Sequence, residues 1–223
     1  EIMMPKIPEV IFGNAVINAV KLNEEFVPPF DSGGTLYIRP LYIGISPQVG
    51  VKPSKDYMLV VFVTPVGPYF KEGFKPVDVI IERFKDRAAP NGTGNIKVGG
   101  NYAAAMKKGF EAHDKGYAAV LYLDPKEKKY IDECGPANFF AIKGNSYITP
   151  LSDSILPSIT NMSLQELAKD MNIKVEKRKV EVGELSDFEE TAMCGTAAVI
   201  SPIGKIIDAE NKKEYVYCPD NQP

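Results

Sequence analysis

Residues 95–102, Asn-Ile-Lys-Val-Gly-Gly-Asn-Tyr, form the stretch around which this sequence is organised. Lys97 lies in a short apolar run that predicts a strand, and the glycine pair Gly99-Gly100 follows it directly. An alanine-rich segment from Asn101 onward predicts a helix. The glycines leave room for a flat ligand to approach the backbone. Desolvation in such a place makes a lysine amine a usable nucleophile. A lysine at a strand end is more often an ordinary surface residue, so this interpretation depends on the rest of the chain.

The composition is typical of a globular protein with one or two domains. The 223 residues are 44% hydrophobic and 25% charged, with a net charge of −3. This charge, without a basic stripe, argues against nucleic acid as a partner. No apolar run is long enough to cross a bilayer, so we expect no membrane partner. Three widely separated cysteines lack metal-ligand spacing and indicate reduced thiols in a cytoplasmic protein.

Two segments of different character are separated by a stretch rich in proline and glycine. Residues 65–74 predict an interdomain linker. Before it, residues 1–64 contain predicted strands at 35–45 and 57–64, the second of them fully buried. We expect this segment to be the remnant of a small α/β domain. Residues 75–223 then form a larger domain.

Strands interrupted by helices dominate the larger segment. Strands are predicted at 77–83, 118–123, 130–133, 138–142, 146–149, 174–182 and 197–201, and helices at 101–113, 163–171 and 183–190. The second of these helices begins in a capping-box pattern, Ser163-Leu-Gln-Glu166. This order predicts an α+β fold with a mixed, barrel-like sheet.

Three further positions carry candidate chemistry. Glu133 follows an apolar strand and precedes a Gly-Pro turn, so its carboxylate either caps the turn or holds a protonated ring nitrogen, as pyridoxal phosphate (PLP) requires. Residues 156–161, Leu-Pro-Ser-Ile-Thr-Asn, lead into a helix start, where free N–H groups favour a phosphate. Thr196 offers a hydroxyl beside Gly195. Each of these signals is weak alone.

Taken in order, the motifs resemble those of the fold-type IV PLP enzymes, and among them the branched-chain amino acid aminotransferases. The motifs are Lys-x-Gly-Gly-Asn-Tyr at 97–102, Glu-x-Gly-x-x-Asn-x-Phe at 133–140, Leu-Pro-x-Ile-Thr at 156–160 and Gly-Thr-Ala at 195–197. The resemblance implies a pseudo-barrel large domain. It also implies that Lys97 forms the internal aldimine, that Tyr102 contacts the phenolic oxygen of PLP and that Glu133 binds the pyridine nitrogen. Phosphate contacts are implied for the backbone of Ile159 and Thr160 and for Thr196.

The same resemblance implies a substrate-binding set. Tyr37 and Arg39, in a Tyr-x-Arg-Pro motif, shape the substrate site and its carboxylate-binding side, and a guanidinium suits a carboxylate well. Tyr69 of the linker lines the pocket. Ala197 and Ala198 leave room for a branched apolar side chain.

The reaction implied is transfer of an amino group from L-leucine, L-isoleucine or L-valine to 2-oxoglutarate, with ping-pong kinetics, in a homodimer. Related alternatives are a D-amino acid aminotransferase and an aminodeoxychorismate lyase, and the motif at Tyr37 and Arg39 argues against both. The family's N-terminal segment, with a phosphate-binding arginine, and its C-terminal end are not matched here. We therefore expect an internal piece of a longer protein, for which an inert fragment stays open. Pro136 and Cys194 depart from the family pattern near the substrate.

Overall fold

The structure, a computed structural model, describes residues 2–67, 75–197 and 199–218. The chain separates into two compact units, Glu1–Lys71 and Glu72–Pro223. In the described part of both units, no helix is long and apolar enough to span a membrane.

The first unit is a helix packed on a two-stranded sheet. Helix α1 (Glu9–Lys21) contacts strands β1 (Thr35–Gly44) and β2 (Tyr57–Val66), which pair antiparallel in unbroken register. The prediction of a fully buried strand at 57–64 is wrong, because none of the ten described residues of β2 is buried. A sheet of two strands has too little covering material to bury both faces of an apolar strand.

The second unit is built on a mixed nine-stranded sheet. Its elements are β3 (Val77–Glu82), α2 (Gly99–His113), β4 (Ala119–Leu123), β5 (Ile131–Cys134), β6 (Ala137–Lys143), β7 (Ser146–Pro150), α3 (Ile159–Asp170), β8 (Lys174–Arg178), β9 (Glu190–Gly195), β10 (Val199–Asp208) and β11 (Lys213–Val216). Strands β10, β3, β4, β5, β6 and β9 pair in that order, and β9 pairs back to β10. The ring is therefore closed, which confirms the predicted α+β fold with a barrel-like sheet. Strand β11 extends the ring beside β10, and β7 and β8 extend it beside β6.

The strands of the ring are rich in apolar residues, which allows both of their faces to be buried. The interior is filled by side chains from several strands, among them Val79, Leu121, Ile131, Phe139, Ile203 and Ile206. On the outer face of β4, Val120 and Tyr122 pack instead against Ala112 of α2. Helix α2 therefore lies on β4, and its first turn carries the residues that follow Lys97.

The predicted strand around Lys97 is not formed. Residues 95–98 belong to no strand, and α2 begins at Gly99, two residues before the predicted start. The Asn101 side chain explains this, because its Nδ2 donates to the carbonyls of Thr93 (2.6 Å) and Ile96 (2.9 Å). These bonds hold the approach to α2 as a local loop instead of pairing it in a sheet.

Four further boundaries differ from the predictions. The strand predicted at 197–201 is β10, which begins at Val199 and continues to Asp208. Helix α3 begins at Ile159, before the predicted Ser163, because Ser158 Oγ accepts from the Asn161 N–H (3.2 Å) and caps the helix. Strand β8 ends at Arg178, before position 182. The helix predicted at 183–190 is a 3₁₀ turn at Val182–Asp187, after which β9 begins. The predictions missed β9 and β11 entirely.

Candidate active site

Lys97 and Tyr102 are brought together by the start of α2. Lys97 Nζ donates a hydrogen bond to Tyr102 Oη at 2.9 Å and lies 5.3 Å from the centre of the tyrosine ring. Lys97 is exposed, so its amine is accessible to a ligand. The pair is formed across the junction between the loop at 95–98 and the first turn of α2.

Glu133, at the end of β5, is buried with 3% of its surface exposed. Its Oε1 accepts from the backbone N–H of Leu156 and lies 3.4 Å from Nη2 of Arg87. Burial raises the pKa of Glu133 to about 7, while the Arg87 and Lys97 cations oppose that rise. A carboxylate in this environment gains strongly from a further positive charge beside it.

Arg87 is a site residue that sequence reasoning missed. It is 8% exposed, and its Nη2 donates to the carbonyl oxygens of Gly94 (3.2 Å) and Ser154. Arg87 thus joins the loop before Lys97 to the loop before α3 and presents its charge to Glu133. The only sequence signal was an arginine followed by two alanines in a turn-rich stretch, which does not separate a buried arginine from an exposed one.

Asp132, beside Glu133, is a second buried carboxyl group. It is 4% exposed and hydrogen-bonded to Ser152, and its Oδ1 has no hydrogen-bond partner among the described residues. Burial raises its pKa to about 6. Arg87 pairs with Glu133, whereas the described contacts of Asp132 include no ion pair, so Asp132 is the less compensated of the two buried acids.

A cavity of about 330 Å³ opens beside these residues. Its lining combines the polar groups of Arg87, Tyr102 and Glu133 with apolar side chains from α2 and β4, among them Ala105, Met106, Phe110 and Val120. Cavities that mix apolar walls with a few convergent polar groups are typical of small-molecule sites.

The two predicted phosphate-binding segments lie at a helix start and a tight turn. Ile159 and Thr160 are the first two residues of α3. Ser158 Oγ accepts from the N–H of Asn161, which follows them. Thr196 is exposed in the turn between β9 and β10, together with Ala197.

Sheet register relates that turn to Glu133. Glu133 is the Cα partner of Asn138 in β6, and Asn138 is the partner of Cys194 in β9. Cys194 therefore lies in the same row across the sheet as Glu133, and Thr196 follows Cys194 by two residues.

The predicted substrate residues of the first unit also contact one another. Arg39 Nη2 donates to Tyr37 Oη at 2.7 Å, and the guanidinium carbon lies 5.0 Å from the tyrosine ring centre. Both side chains are on the same face of β1, since they are two residues apart in a strand. Tyr69 and Ala198 lie outside the described residues.

Comparison with known proteins identifies the family. A family model described as amino-transferase class IV matches residues 3–206. The chain belongs to the class IV aminotransferases. This confirms the family predicted from the four motifs.

Individual members of the family are similar over nearly the whole chain. The branched-chain-amino-acid aminotransferases of Helicobacter pylori (strain J99) and Haemophilus influenzae are 45% and 44% identical to it, each over 99% of this chain. The chain spans 65% and 66% of the length of those two relatives.

Solved structures of the family superimpose on the chain. The branched-chain amino acid aminotransferase from Escherichia coli matches 91% of this chain, and 64% of its own, with a TM-score of 0.74 and 26% identity. The T.th. branched-chain amino acid aminotransferase with pyridoxamine 5'-phosphate matches 98% of this chain, and 67% of its own, with a TM-score of 0.76 and 26% identity.

Proposed function

We propose that the chain is the cofactor-binding part of a branched-chain aminotransferase. The reaction transfers the amino group of L-leucine, L-isoleucine or L-valine to 2-oxoglutarate with PLP as cofactor, giving the 2-oxo acid and L-glutamate. The observation that carries this proposal is the Lys97–Tyr102 pair together with the buried Glu133–Arg87 pair, in a class IV aminotransferase chain. The names of the similar proteins support the substrate class.

The residues present fit PLP. Tyr102 and Glu133 both line the cavity of about 330 Å³, whereas Lys97 and the proposed phosphate contacts lie outside its lining. Burial raises the pKa of Glu133 although Arg87 lies 3.4 Å from its Oε1, so a protonated ring nitrogen would add a second positive charge that favours the ionised form. The open N–H groups of Ile159 and Thr160 and the hydroxyl of Thr196 would hold the phosphate. When bound, PLP supplies the electron sink that stabilises negative charge at the substrate α-carbon.

The other steps of the proposed reaction are assigned to protein side chains. Lys97 Nζ is the base that takes the proton from the substrate α-carbon and holds it for return. Tyr102 Oη, 2.9 Å away, orients this amine. Arg87, 3.4 Å from Glu133 Oε1, favours the ionised form of Glu133. The second half of the reaction uses the same groups on 2-oxoglutarate, so the kinetics are ping-pong.

The substrate-binding residues are proposed from the family resemblance of the motif at Tyr37 and Arg39. Arg39, oriented by Tyr37, binds the substrate α-carboxylate through two parallel N–H bonds. Tyr69 and Ala197 border the branched side chain of the substrate.

We assign residues 1–64 and 75–223 to two domains joined by the linker 65–74. The protein is proposed to be a cytoplasmic homodimer, and its three cysteines are free thiols.

An amino-donor panel tests this function. The chain, loaded with PLP, is incubated with 2-oxoglutarate and either L-leucine, L-isoleucine, L-valine or D-alanine, and glutamate is measured. We expect the three branched L-amino acids to be used and D-alanine to be inert. Lys97→Ala abolishes turnover, whereas Lys107→Ala, at an exposed lysine of α2, does not. Preferential use of D-alanine would overturn the substrate assignment, and full activity of Lys97→Ala would overturn the role of Lys97.

A further inference from the structure

Asn161 is a buried polar residue in the first turn of α3, with 6% of its surface exposed. Its side chain makes four hydrogen bonds: Nδ2 donates to Asn138 Oδ1 (3.0 Å) and Thr149 Oγ1 (2.9 Å), and Oδ1 accepts from Tyr147 Oη (2.8 Å) and Gln165 Nε2 (3.1 Å). A primary amide has two donor hydrogens and two acceptor lone pairs. The Asn161 amide is therefore used to capacity, and its orientation is fixed.

The network continues from Asn161 to the buried carboxylate. Asn138 Nδ2 donates to the carbonyl oxygen of Leu156 (3.2 Å), and the N–H of Leu156 donates to Glu133 Oε1. Asn138 is also the Cα partner of Glu133 across β5 and β6. A continuous path of hydrogen bonds thus joins the start of α3 to Glu133.

In the proposed function, the two ends of this path contact the two ends of one ligand, a flat ring that carries its phosphate on a short arm. Ile159 and Thr160, directly before Asn161, face the phosphate, and Glu133 faces the ring nitrogen. A ligand that is held at both ends binds tightly only if the protein keeps the two points at the matching separation. The part of the network that sets this separation is the pair of bonds from Asn161 Nδ2.

We propose that Asn161 is a positioning residue that fixes the phosphate-binding start of α3 relative to Glu133, and so gives the site its preference for a phosphorylated ring over the same ring without phosphate. This inference rests on the proposed function. Asn161 itself contacts no ligand atom in this role, and acts through Ile159, Thr160 and Asn138.

The network offers matched variants. Asn161→Ala removes both bonds from Nδ2 and leaves Asn138 Oδ1 and Thr149 Oγ1 without this donor. Tyr147→Phe removes one bond to Oδ1 but keeps both bonds from Nδ2. Both changes affect the same buried cluster, so a general loss of packing affects both. Only the first breaks the path to Glu133.

The experiment measures the dissociation constants of PLP and of pyridoxal, which lacks the phosphate, by absorption titration of the wild-type chain and both variants. For Asn161→Ala we expect the preference for PLP over pyridoxal to fall by about tenfold or more, with pyridoxal affinity within about twofold of wild type. Tyr147→Phe should keep the wild-type preference. Circular dichroism checks the fold, and Asn161→Ser is the second variant if Asn161→Ala does not fold.

The outcomes separate the inference from the function beneath it. Wild type that prefers PLP, with the same preference in a folded Asn161→Ala or Asn161→Ser, overturns the positioning role alone. Equal losses for PLP and pyridoxal, or failure of both Asn161 variants to fold, also overturn it, since the residue then serves only general stability. Wild type without any preference for PLP overturns the proposed phosphate contacts, and the inference with them.

Discussion

Replacing Asp132 with asparagine is expected to stabilise the second unit at neutral and alkaline pH. Asp132 is 4% exposed, and burial raises its pKa from 3.8 to about 6. Between these two values the folded chain binds more protons at this group than the unfolded chain does. The free energy of unfolding therefore falls as the pH rises through this window and levels off above it.

The size of the effect follows from the shift. A change of one pKa unit corresponds to about 1.4 kcal/mol, so a rise from 3.8 to about 6 corresponds to about 3 kcal/mol. Asparagine has nearly the same shape and does not ionise. The free energy of unfolding of Asp132→Asn minus that of wild type should therefore rise by about 2–3 kcal/mol between about pH 4 and about pH 8.

Urea unfolding at several pH values measures this difference, and hydrogen exchange of peptides from β5 and β6 confines it to the second unit. Asp153→Asn is the matched control, because Asp153 is an exposed carboxylate in the loop that Ser152 belongs to. A stability difference that does not change with pH for Asp132→Asn would refute the reasoning. An equal rise for Asp153→Asn would refute it too, since net charge and not burial would then be the cause.

Three further predictions concern the stability of the second unit. Arg87→Leu should destabilise the chain by about 3–5 kcal/mol at about pH 8, because it leaves a buried carboxylate without its cation. The loss should be smaller at about pH 5, below the Glu133 pKa of about 7, where the group is protonated. Gly94→Ala should cost about 1–3 kcal/mol, since its Cβ would lie 2.8 Å from Ser154 Cα. By contrast, Gly109→Ala meets nothing within 4 Å and should stabilise α2 by about 0.5–1 kcal/mol. Urea unfolding measures all three. An Arg87→Leu loss that is equal at both pH values, or Gly94→Ala as stable as Gly109→Ala, would contradict these expectations.

Features set by neighbouring residues were predictable from the sequence. The five apolar residues of β4 and the alanine-rich start of α2 give each element its pattern over a few positions. The Lys97–Tyr102 pair is similarly local, because the two residues lie five positions apart across the start of α2. The order of the four motifs was sufficient to indicate the family.

Features set by distant contacts were not predictable. Arg87 is buried by the Ser154 carbonyl, 67 residues away, which no local pattern reports. The sequence pattern placed the helix cap at Ser163, but α3 begins at Ile159 with Ser158 as its cap, where Asn161 bonds to β6 and β7. The exposure of β2 depends on how many strands cover it, and an apolar run does not encode that number.

The role of Lys97 as the cofactor-binding lysine is tested by asking whether PLP attaches to it. The chain is mixed with PLP, its absorption spectrum is recorded, borohydride is added, and the modified residue is located by peptide mass spectrometry. Lys97→Ala and Lys107→Ala are treated identically. We expect a visible band in wild type and Lys107→Ala, fixed by reduction on Lys97, and no such band in Lys97→Ala. A band that persists in Lys97→Ala, or a modification on another lysine with Lys97 free, would contradict this role.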